Sequence, residues 1–280
     1  MKVEKRAISN WVVACECGGG RLLTQEQVLR YARNIAVDVI GTKGQEALLG
    51  AKVLVVGAGG LGSPVCLYLA AAGVGTLGVL DADRVELGNL QRQILHRMTD
   101  IGAPKVDSAA REIAGMNPDV TVNRIPTRLD AQNVMGLVSP YDVVVSCVDN
   151  LGSRYVLNDA CVRLAKPLVE AGVARLDGLL FTIAPHKGPC YRCLFPEEPP
   201  PGVIPSTARV GIVGAVAGAM GCLQALEVIK IVTGAGAPLV GRALLFDGLD
   251  ASFREIRVSS DPDCPACGSG RTRRTPLPGG

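Results

Sequence analysis

The fold of this chain is decided by KVLVVGAGGLGSPVCLYLAAAG (52–73). The apolar beginning of the stretch predicts a buried strand, the glycines after it predict a tight turn, and SPVCLYLAAAG predicts a helix. We expect Gly57 to permit the turn and Gly62 to allow close packing of the helix. Gly59 and Gly60 would let the backbone approach a phosphate, and the helix N-terminus would offer free N–H groups to an anion. The stretch therefore predicts a nucleotide-binding βα unit.

The segments around this unit continue the alternation of strands and helices. Further strands are predicted at 76–81, 120–125, 141–149 and 167–172, and helices at 24–40, 101–117, 151–165 and within 211–234. Apolar strands separated by helices argue for a parallel sheet covered on both faces. Beyond residue 172, RLDGLLFTIAP favours antiparallel strands around Asp177 and Gly178. The predicted class is α/β, a Rossmann-like doubly wound sheet, mainly parallel, with antiparallel C-terminal strands.

Composition excludes several classes of function. The chain has 280 residues, is 48% hydrophobic and carries a formal charge of only +3, so it can bury a large core but offers no basic surface for nucleic acid. Gln224, Glu227 and Lys230 interrupt its most apolar stretch, GIVGAVAGAMGCLQALEVIKIVTG (211–234), too early for a membrane span. We therefore expect no nucleic-acid or membrane partner, a buried helix or subunit contact at 211–234, and a cytoplasmic protein, since MKVEKRAISNWVVACEC at the start makes a poor signal peptide.

Polar side chains follow the predicted strands where an α/β sheet binds its ligand. Asp81 ends the second strand, at the place of a ribose-binding acid. Arg92 and Lys105 could grip a triphosphate, and Asp149 could hold Mg²⁺ on the phosphates. Taken singly, Arg92 and Lys105 are equally consistent with solvated helix faces. With the four glycines, the candidate nucleotide-binding residues are Asp81, Asp83, Gly88, Asn89, Leu90, Gln91, Arg92, Gln93, Lys105, Asp149 and Asn150.

Four of the ten cysteines form two C-x-x-C pairs. PCYRC contributes Cys190 and Cys193, and DCPAC contributes Cys264 and Cys267. Two such pairs supply the four thiolates of a closed tetrahedral zinc site. A redox role would place one pair at the start of a βαβ unit, which neither pair satisfies. The cysteines within apolar segments are expected to be small buried hydrophobes: Cys66, Cys147, Cys161 and Cys222.

In combination these motifs resemble the MoeB/ThiF/HesA family, the prokaryotic relatives of ubiquitin-activating enzymes. The resemblance runs from about residue 24 to 268 and includes RYARNI, GTKGQEAL, VVGAGGLGSPVCLYLAAAGVG, DADRVELGNLQRQILH, GAPKV, VDN, CYRCLFP and CPACG in family order. It divides the chain into an N-terminal extension (1–23), an adenylyltransferase domain (24–268) and a flexible tail (269–280).

The resemblance implies an activity, partners and residue roles. A homodimer would bind MgATP and adenylate the C-terminal Gly-Gly carboxylate of a ubiquitin-like sulfur carrier protein. Arg92, Lys105 and Asp149 would act in catalysis, together with an Arg33 that reaches ATP from the neighbouring subunit. The four C-x-x-C cysteines match zinc ligands. Since the chain does not continue into a rhodanese domain, we expect a separate sulfur donor protein.

The sequence departs from the family at one position. Many members carry a cysteine in the crossover loop where PSTARVGIV places Thr207, with Ser206 beside it. A thioester or persulfide on the enzyme is therefore not expected, whereas adenylation needs no side-chain nucleophile.

Two other functions remain open at the level of sequence. The glycine turn with Asp81 is also typical of an NAD-dependent oxidoreductase. A zinc-stabilised binding module with a degenerate nucleotide site is the third hypothesis, although intact Arg92, Lys105 and Asp149 argue against it.

Overall fold

The computed structural model describes residues 23–200 and 207–268, without the side chains of Thr207 and Ala208. The predicted tail, nearly all of the predicted N-terminal extension and Ser206 lie outside these residues. The strands are β1 (Lys52–Val56), β2 (Thr76–Leu80), β3 (Thr121–Ile125), β4 (Val143–Ser146), β5 (Leu168–Ala174), β6 (Asp177–Ile183), β7 (Arg242–Asp247) and β8 (Ser252–Arg257). The helices are α1 (Gln25–Arg30), α2 (Ala32–Ile35), α3 (Gly41–Gly50), α4 (Gly62–Ala71), α5 (Lys105–Met116), α6 (Val134–Val138), α7 (Leu151–Arg163), α8 (Tyr191–Leu194), α9 (Thr207–Val210) and α10 (Gly214–Thr233).

The eight strands form one sheet in the order β3-β2-β1-β4-β5-β6-β7-β8. The pairs from β3 to β5 are parallel, and those from β5 to β8 are antiparallel. The predicted α/β class with antiparallel C-terminal strands is therefore confirmed. Strand order reverses between β1 and β4, and such a reversal opens a crevice at the carboxyl ends of the strands.

Two apolar cores cover the two faces of the sheet. On one face α3, α4, α5 and α10 pack residues such as Leu69, Ile113 and Met220 against β1 and its neighbours. On the other face α6 and α7 pack Val138 and Leu157, among others, against the same strands. Because each central strand is buried on both faces, these strands read in the sequence as unbroken apolar runs.

The prediction of one helix at 24–40 is only partly correct, because helix is present from Gln25 to Ile35 but does not continue to residue 40. Two short helices, α1 and α2, occupy its first part, and Gly41 begins α3 instead of ending a helix. The backbone turns before α3, where Gly41 takes a φ of +56°, a conformation favoured by glycine. Tyr31 is 1% exposed, whereas Val28 and Val39 are 47% and 67% exposed, so the segment does not bury one continuous helical face.

Among the described helices, α10 is long and apolar enough to cross a membrane. It packs instead against α4 and the sheet, with Val228 and Met220 fully buried. The Gln224 amide donates hydrogen bonds to the carbonyls of Ser146 (2.8 Å) and Val169 (3.3 Å), inside the protein. The composition of α10 is thus explained by its place as a core helix, one of the two outcomes expected from the sequence.

Candidate active site

A cavity of about 480 Å³ opens at the carboxyl ends of β1 and β4, where the strand order reverses. Its walls are the glycine turn after β1, the segment after β2, and the residues that join β4 to α7. The structure brings ten of the predicted residues into its lining: Gly57, Gly59, Gly60, Asp81, Asp83, Arg92, Gln93, Lys105, Asp149 and Asn150. Residues more than 90 positions apart in the sequence therefore face one space.

The glycine turn has the geometry that the sequence predicts. Gly57 has a φ of +102°, and a Cβ there would lie 2.6 Å from the carbonyl oxygen of Cys147. A Cβ at Gly62 would lie 1.9 Å from the carbonyl oxygen of Gly57. Both positions therefore exclude a side chain, so β1, the turn and α4 pack at the closest approach the backbone permits.

Two carboxylates and an ammonium group fix the turn from the side of β2. The Asp81 carboxylate accepts hydrogen bonds from the backbone N–H groups of Ala58 and Asp83, both at 2.8 Å. Lys105, which is 5% exposed, places its Nζ 3.1 Å from Asp83 Oδ2 and 3.9 Å from Asp81 Oδ2. Lys105 is therefore a buried paired cation at the cavity and not a solvated helix residue.

Arg92 reaches the cavity from the segment that follows β2. A short 3-10 helix at Leu87–Asn89 precedes it, and its guanidinium donates to the Gly88 carbonyl at 3.1 Å. Gly214 of α10 packs against this segment so closely that a Cβ there would lie 2.4 Å from the Gln91 carbonyl oxygen. The described cavity lining does not include four other predicted residues of this segment: Gly88, Asn89, Leu90 and Gln91. It also does not include Gly62, the first residue of α4.

Asp149 and Asn150 form the opposite wall. The Asn150 side chain caps α7 by accepting a hydrogen bond from the Ser153 N–H at 2.9 Å. Asp149 is exposed, which leaves its carboxylate open to the cavity. Oxygen ligands of this kind suit Mg²⁺, so the position fits a metal held between protein and phosphates.

The structure adds two arginines that sequence reasoning missed. Arg128, in the loop after β3, lines the cavity and lies 3.9 Å from Asp83 Oδ1. Arg154, on the first turn of α7, pairs with Glu170 and donates to the carbonyls of Ala171 (2.7 Å) and Val148 (2.8 Å). The sequence offers one signal for Arg154, its position four residues after Asn150. Residues four apart lie on the same side of a helix, so Arg154 is expected on the side of α7 that carries Asn150.

Arg33 is exposed on α2 and is not among the described residues that line the cavity of its own chain. The predicted role for it therefore depends on a second subunit.

The four cysteines of the two C-x-x-C pairs meet at one point. All their Sγ atoms lie within 4.8 Å of one another. Neighbouring sulfurs are 3.6 Å (Cys190 and Cys264), 4.0 Å (Cys190 and Cys193) and 3.4 Å (Cys193 and Cys267) apart. Tetrahedral zinc at a Zn–S distance of about 2.3 Å requires sulfurs about 3.8 Å apart. The donor set and its spacing fit zinc.

Electrostatics favour a cation in this cluster. Burial and the three neighbouring thiols raise the pKa of Cys190 well above its usual value, because thiolates placed together repel one another. A dication at the centre removes that repulsion. The N–H of Asp261 donates to Cys193 Sγ at 3.4 Å, and hydrogen bonds of this kind orient the thiolates that bind a metal.

Of the four cysteines that were predicted to be small buried hydrophobic residues, three are buried in the structure. Cys66, Cys147 and Cys161 are buried, and Cys222 is partly exposed on α10. Burial raises the pKa of the Cys147 thiol, which lines the cavity, well above its usual value. Cys147 is therefore a poor nucleophile at neutral pH.

Comparison with known proteins agrees with the geometry. The ThiF family matches residues 31–266, so the chain belongs to the ThiF family. A sulfur carrier protein adenylyltransferase of Thermus thermophilus is 46% identical over 256 residues, which cover 90% of this chain and 94% of that protein. A SAMP-activating enzyme E1 of Haloferax volcanii is 47% identical over 248 residues, or 89% of this chain and 92% of that protein.

A solved structure shares the fold. The crystal structure of E. coli MccB with AMPCPP and MccA superposes with a TM-score of 0.77 at 25% identity, covering 85% of this chain and 74% of that one. The present chain is 46% identical to the Thermus protein and 47% identical to the Haloferax protein over nearly their whole lengths. This similarity identifies it as an adenylyltransferase. The hypotheses of an NAD-dependent oxidoreductase and of a binding module without activity are set aside.

Proposed function

We propose that this enzyme adenylates the C-terminal carboxylate of a small ubiquitin-like sulfur carrier protein that ends in Gly-Gly. The observation that carries the proposal is the cavity itself, which places the glycine turn, Arg92 and Lys105 on one side and Asp149 on the other. The names of two relatives at 46% and 47% identity support the same substrate class.

The reaction matches the residues present. A carboxylate oxygen of the carrier attacks the α-phosphorus of ATP, the bond between that phosphorus and the bridging oxygen to the β-phosphate breaks, and pyrophosphate leaves. The carboxylate is itself the nucleophile, so the site needs cations and N–H donors more than a general base. Arg92 and Lys105 would neutralise the charge that develops on the phosphates.

Mg²⁺ would be held by Asp149, whose exposed carboxylate faces the cavity. When bound, the metal would neutralise phosphate charge and favour departure of pyrophosphate. Asp81, whose oxygens already accept two backbone N–H groups, keeps lone pairs for ribose hydroxyls.

Zinc would be held by Cys190, Cys193, Cys264 and Cys267 in a closed site. Cys190 immediately precedes α8 and Cys193 lies within it, whereas Cys264 and Cys267 lie in the turn after β8, so one ion would tie together parts of the chain that are 74 residues apart. Because all four coordination positions are sulfur, zinc here would have a structural role.

A homodimer would complete each site. Large apolar side chains are exposed in the segment that carries Arg33: Val28 (47%), Leu29 (79%), Val37 (45%) and Val39 (67%). Four exposed apolar side chains within twelve residues are typical of a subunit contact. Arg33 on that surface would then enter the partner's cavity.

Sulfur would come from a separate donor protein that attacks the carrier adenylate. The thiol at the cavity, Cys147, is buried and its pKa is raised, so it does not supply a ready nucleophile. The side chain of Thr207 and the whole of Ser206 lie outside the described residues, and the expectation that no covalent carrier–enzyme adduct forms at that loop stays a prediction.

The proposal is tested by ATP–pyrophosphate exchange with a small ubiquitin-like protein ending in Gly-Gly. Exchange should require Mg²⁺ and the carrier, and a carrier lacking its last glycine should not support it. Exchange independent of carrier, or none with any Gly-Gly carrier tested, would refute the proposed substrate class.

A further inference from the structure

A buried chain of hydrogen bonds lies beneath the glycine turn. It runs from the Ala58 carbonyl to His96 Nε2 (2.9 Å), from His96 Nδ1 to Ser108 Oγ (2.8 Å), and from Ser108 Oγ to Asp100 Oδ2 (2.7 Å). His96 is 4% exposed, Ser108 1% and Asp100 8%. The chain thus joins the turn after β1 to α5 and to the segment that carries Arg92.

Counting protons along this chain defines the state of His96. The Ala58 carbonyl only accepts, so Nε2 must carry a proton. The Asp100 carboxylate also only accepts, so Ser108 must donate its one hydroxyl proton there. Ser108 Oγ can then only accept from His96, and Nδ1 must carry a proton as well. All three hydrogen bonds exist together only when the imidazole is doubly protonated.

Asp100 is held as a carboxylate. Burial alone would raise its pKa, but hydrogen bonds from Arg111 (2.7 Å), Ser108 and the Arg97 N–H lower the pKa to about 2. The extra proton of the chain therefore belongs to His96 and not to Asp100.

The charged groups around His96 set the pH range in which the chain is complete. Burial and the Lys105 ammonium lower the pKa of His96, whereas the Ala58 carbonyl and the carboxylates of Asp100 and Asp81 oppose the shift. With a pKa below its usual value, the ring is protonated on the acid side of neutrality and loses one proton as the pH rises. One of the three hydrogen bonds must then be given up.

The Ala58 peptide is where this chain meets the nucleotide site. Its N–H is fixed by Asp81 and its carbonyl by His96, while Gly57 and Gly59 on either side line the cavity. We propose that His96 is a positioning residue: with both ring nitrogens protonated, it ties the Ala58 carbonyl through Ser108 to Asp100 and so holds the glycine turn in its phosphate-binding form. The inference rests on the proposed function, because it assumes that the turn binds nucleotide phosphates.

Reciprocal coupling follows from this arrangement. If the complete chain favours nucleotide binding, then bound nucleotide favours the protonated ring by the same factor. Binding of MgAMPCPP, in which the bond to be broken is replaced by a methylene linkage, should therefore raise the pKa of His96.

The protein has only two histidines, His96 and His186, so NMR of the imidazole nitrogens tests the proposal directly. His186 is exposed and has a φ of +63°, so His186→Asn is a well-tolerated control that leaves a single imidazole signal. In that variant His96 should titrate below the range of a free histidine and shift upward with MgAMPCPP. Ser108→Ala, which removes the acceptor for Nδ1, should abolish the shift.

Affinity for MgAMPCPP supplies the second measurement. His96→Leu should weaken binding about fivefold to tenfold near pH 6, as expected for one buried hydrogen bond. His96→Gln keeps a donor for the Ala58 carbonyl and should lose less affinity. Should the leucine variant fail to fold, His96→Gln and Ser108→Ala still decide the matter, because both should flatten the dependence of affinity on pH.

A His96 titration unmoved by MgAMPCPP in protein that binds it normally would overturn this inference alone. Wild-type protein that binds no MgAMPCPP would refute both this inference and the proposed function.

Discussion

Among the described residues that line the cavity, the buried cations are paired with carboxylates, whereas Arg92 has no carboxylate partner. Lys105 is nearly inaccessible and held by Asp83 and Asp81, whereas Arg92 makes its described hydrogen bond to a backbone carbonyl. Because no carboxylate neutralises its positive charge, such a guanidinium attracts an incoming anion more strongly than a paired one does. We therefore expect Arg92 to interact with phosphates more strongly than its exposure suggests.

Replacing Arg92 with alanine should lower the rate of carrier-dependent pyrophosphate exchange by about 100-fold or more, since it removes a cation from the position where charge develops. The matched control is Arg124→Ala on β3, which removes an exposed cation paired with Asp107 outside the described cavity lining. That control should change the rate by less than about twofold. Equal rates in the two variants would contradict the role given to Arg92.

At the scale of elements, α7 connects the two sites of the molecule. Its first turn carries Arg154 into the cavity, and its later part contacts α8 beside the cysteine cluster. The Asn158 side chain accepts from the Tyr191 N–H at 2.9 Å, and Asp159 pairs with Arg192 through two hydrogen bonds of 2.8 Å. These hydrogen bonds therefore fix α8, which carries Cys193, against a helix whose other end forms a wall of the nucleotide cavity.

The protein is expected to contain about one zinc ion per chain, and Cys190→Ser should remove most of it because Cys190 is a fully buried member of the cluster. The loss should lower Tm by at least about 10 °C, since structural zinc contributes directly to folding free energy. Below the new Tm, pyrophosphate exchange should persist. Cys222→Ser, a cysteine outside the cluster, serves as the control and should keep both zinc and Tm.

Metal analysis decides this point together with calorimetry. Full zinc content in Cys190→Ser, or freshly reduced wild-type protein without zinc, would show that the cluster does not bind the metal as described.

At the scale of the whole molecule, the sheet separates two tasks. Its parallel half ends in the nucleotide cavity, and its antiparallel half continues to β8, whose residues are all exposed. Arg33 lies on neither half but on the exposed α2 segment, so the proposed dimer is needed to bring it to a cavity.

Mixing Arg33→Ala chains with Asp149→Ala chains tests the shared site. Each mixed dimer would contain one cavity with both residues intact and one with both removed, because Arg33 acts in the cavity of the other subunit. Two nearly inactive proteins should therefore recover about a quarter of wild-type exchange activity after random subunit exchange. Labelled subunits are needed to confirm that exchange occurred.

Lack of recovery in proven mixed dimers would mean that Arg33 does not act across subunits. A matched mixture of Arg92→Ala and Asp149→Ala chains should not recover, since both residues belong to the same cavity.

Much of the site could be predicted from the sequence because its signals are local. The turn requires glycine at Gly57 and Gly62, because a Cβ at either position would clash with a backbone carbonyl oxygen. Two C-x-x-C pairs supply four thiolates, which is the ligand set typical of structural zinc. Asp149 follows a buried strand directly, so its place at the carboxyl edge of the sheet follows from the pattern. These features depend on spacings of a few residues, so they can be predicted from the local sequence alone.

What only the tertiary structure decided depends on contacts between distant segments. The hydrogen bond from His96 to Ala58 spans 38 residues, and Arg154 reaches a carboxylate on a neighbouring strand, so neither role has a local signature. The early end of the helix predicted at 24–40 has the same cause, because beyond Ile35 the apolar residues Val37 and Val39 are exposed in the single chain and contribute no buried helical face. The sequence by itself determined the class of fold, the glycine turn and the four cysteines that meet in one cluster, while tertiary packing decided which buried polar groups meet, since their hydrogen bonds form only once the sheet brings them together.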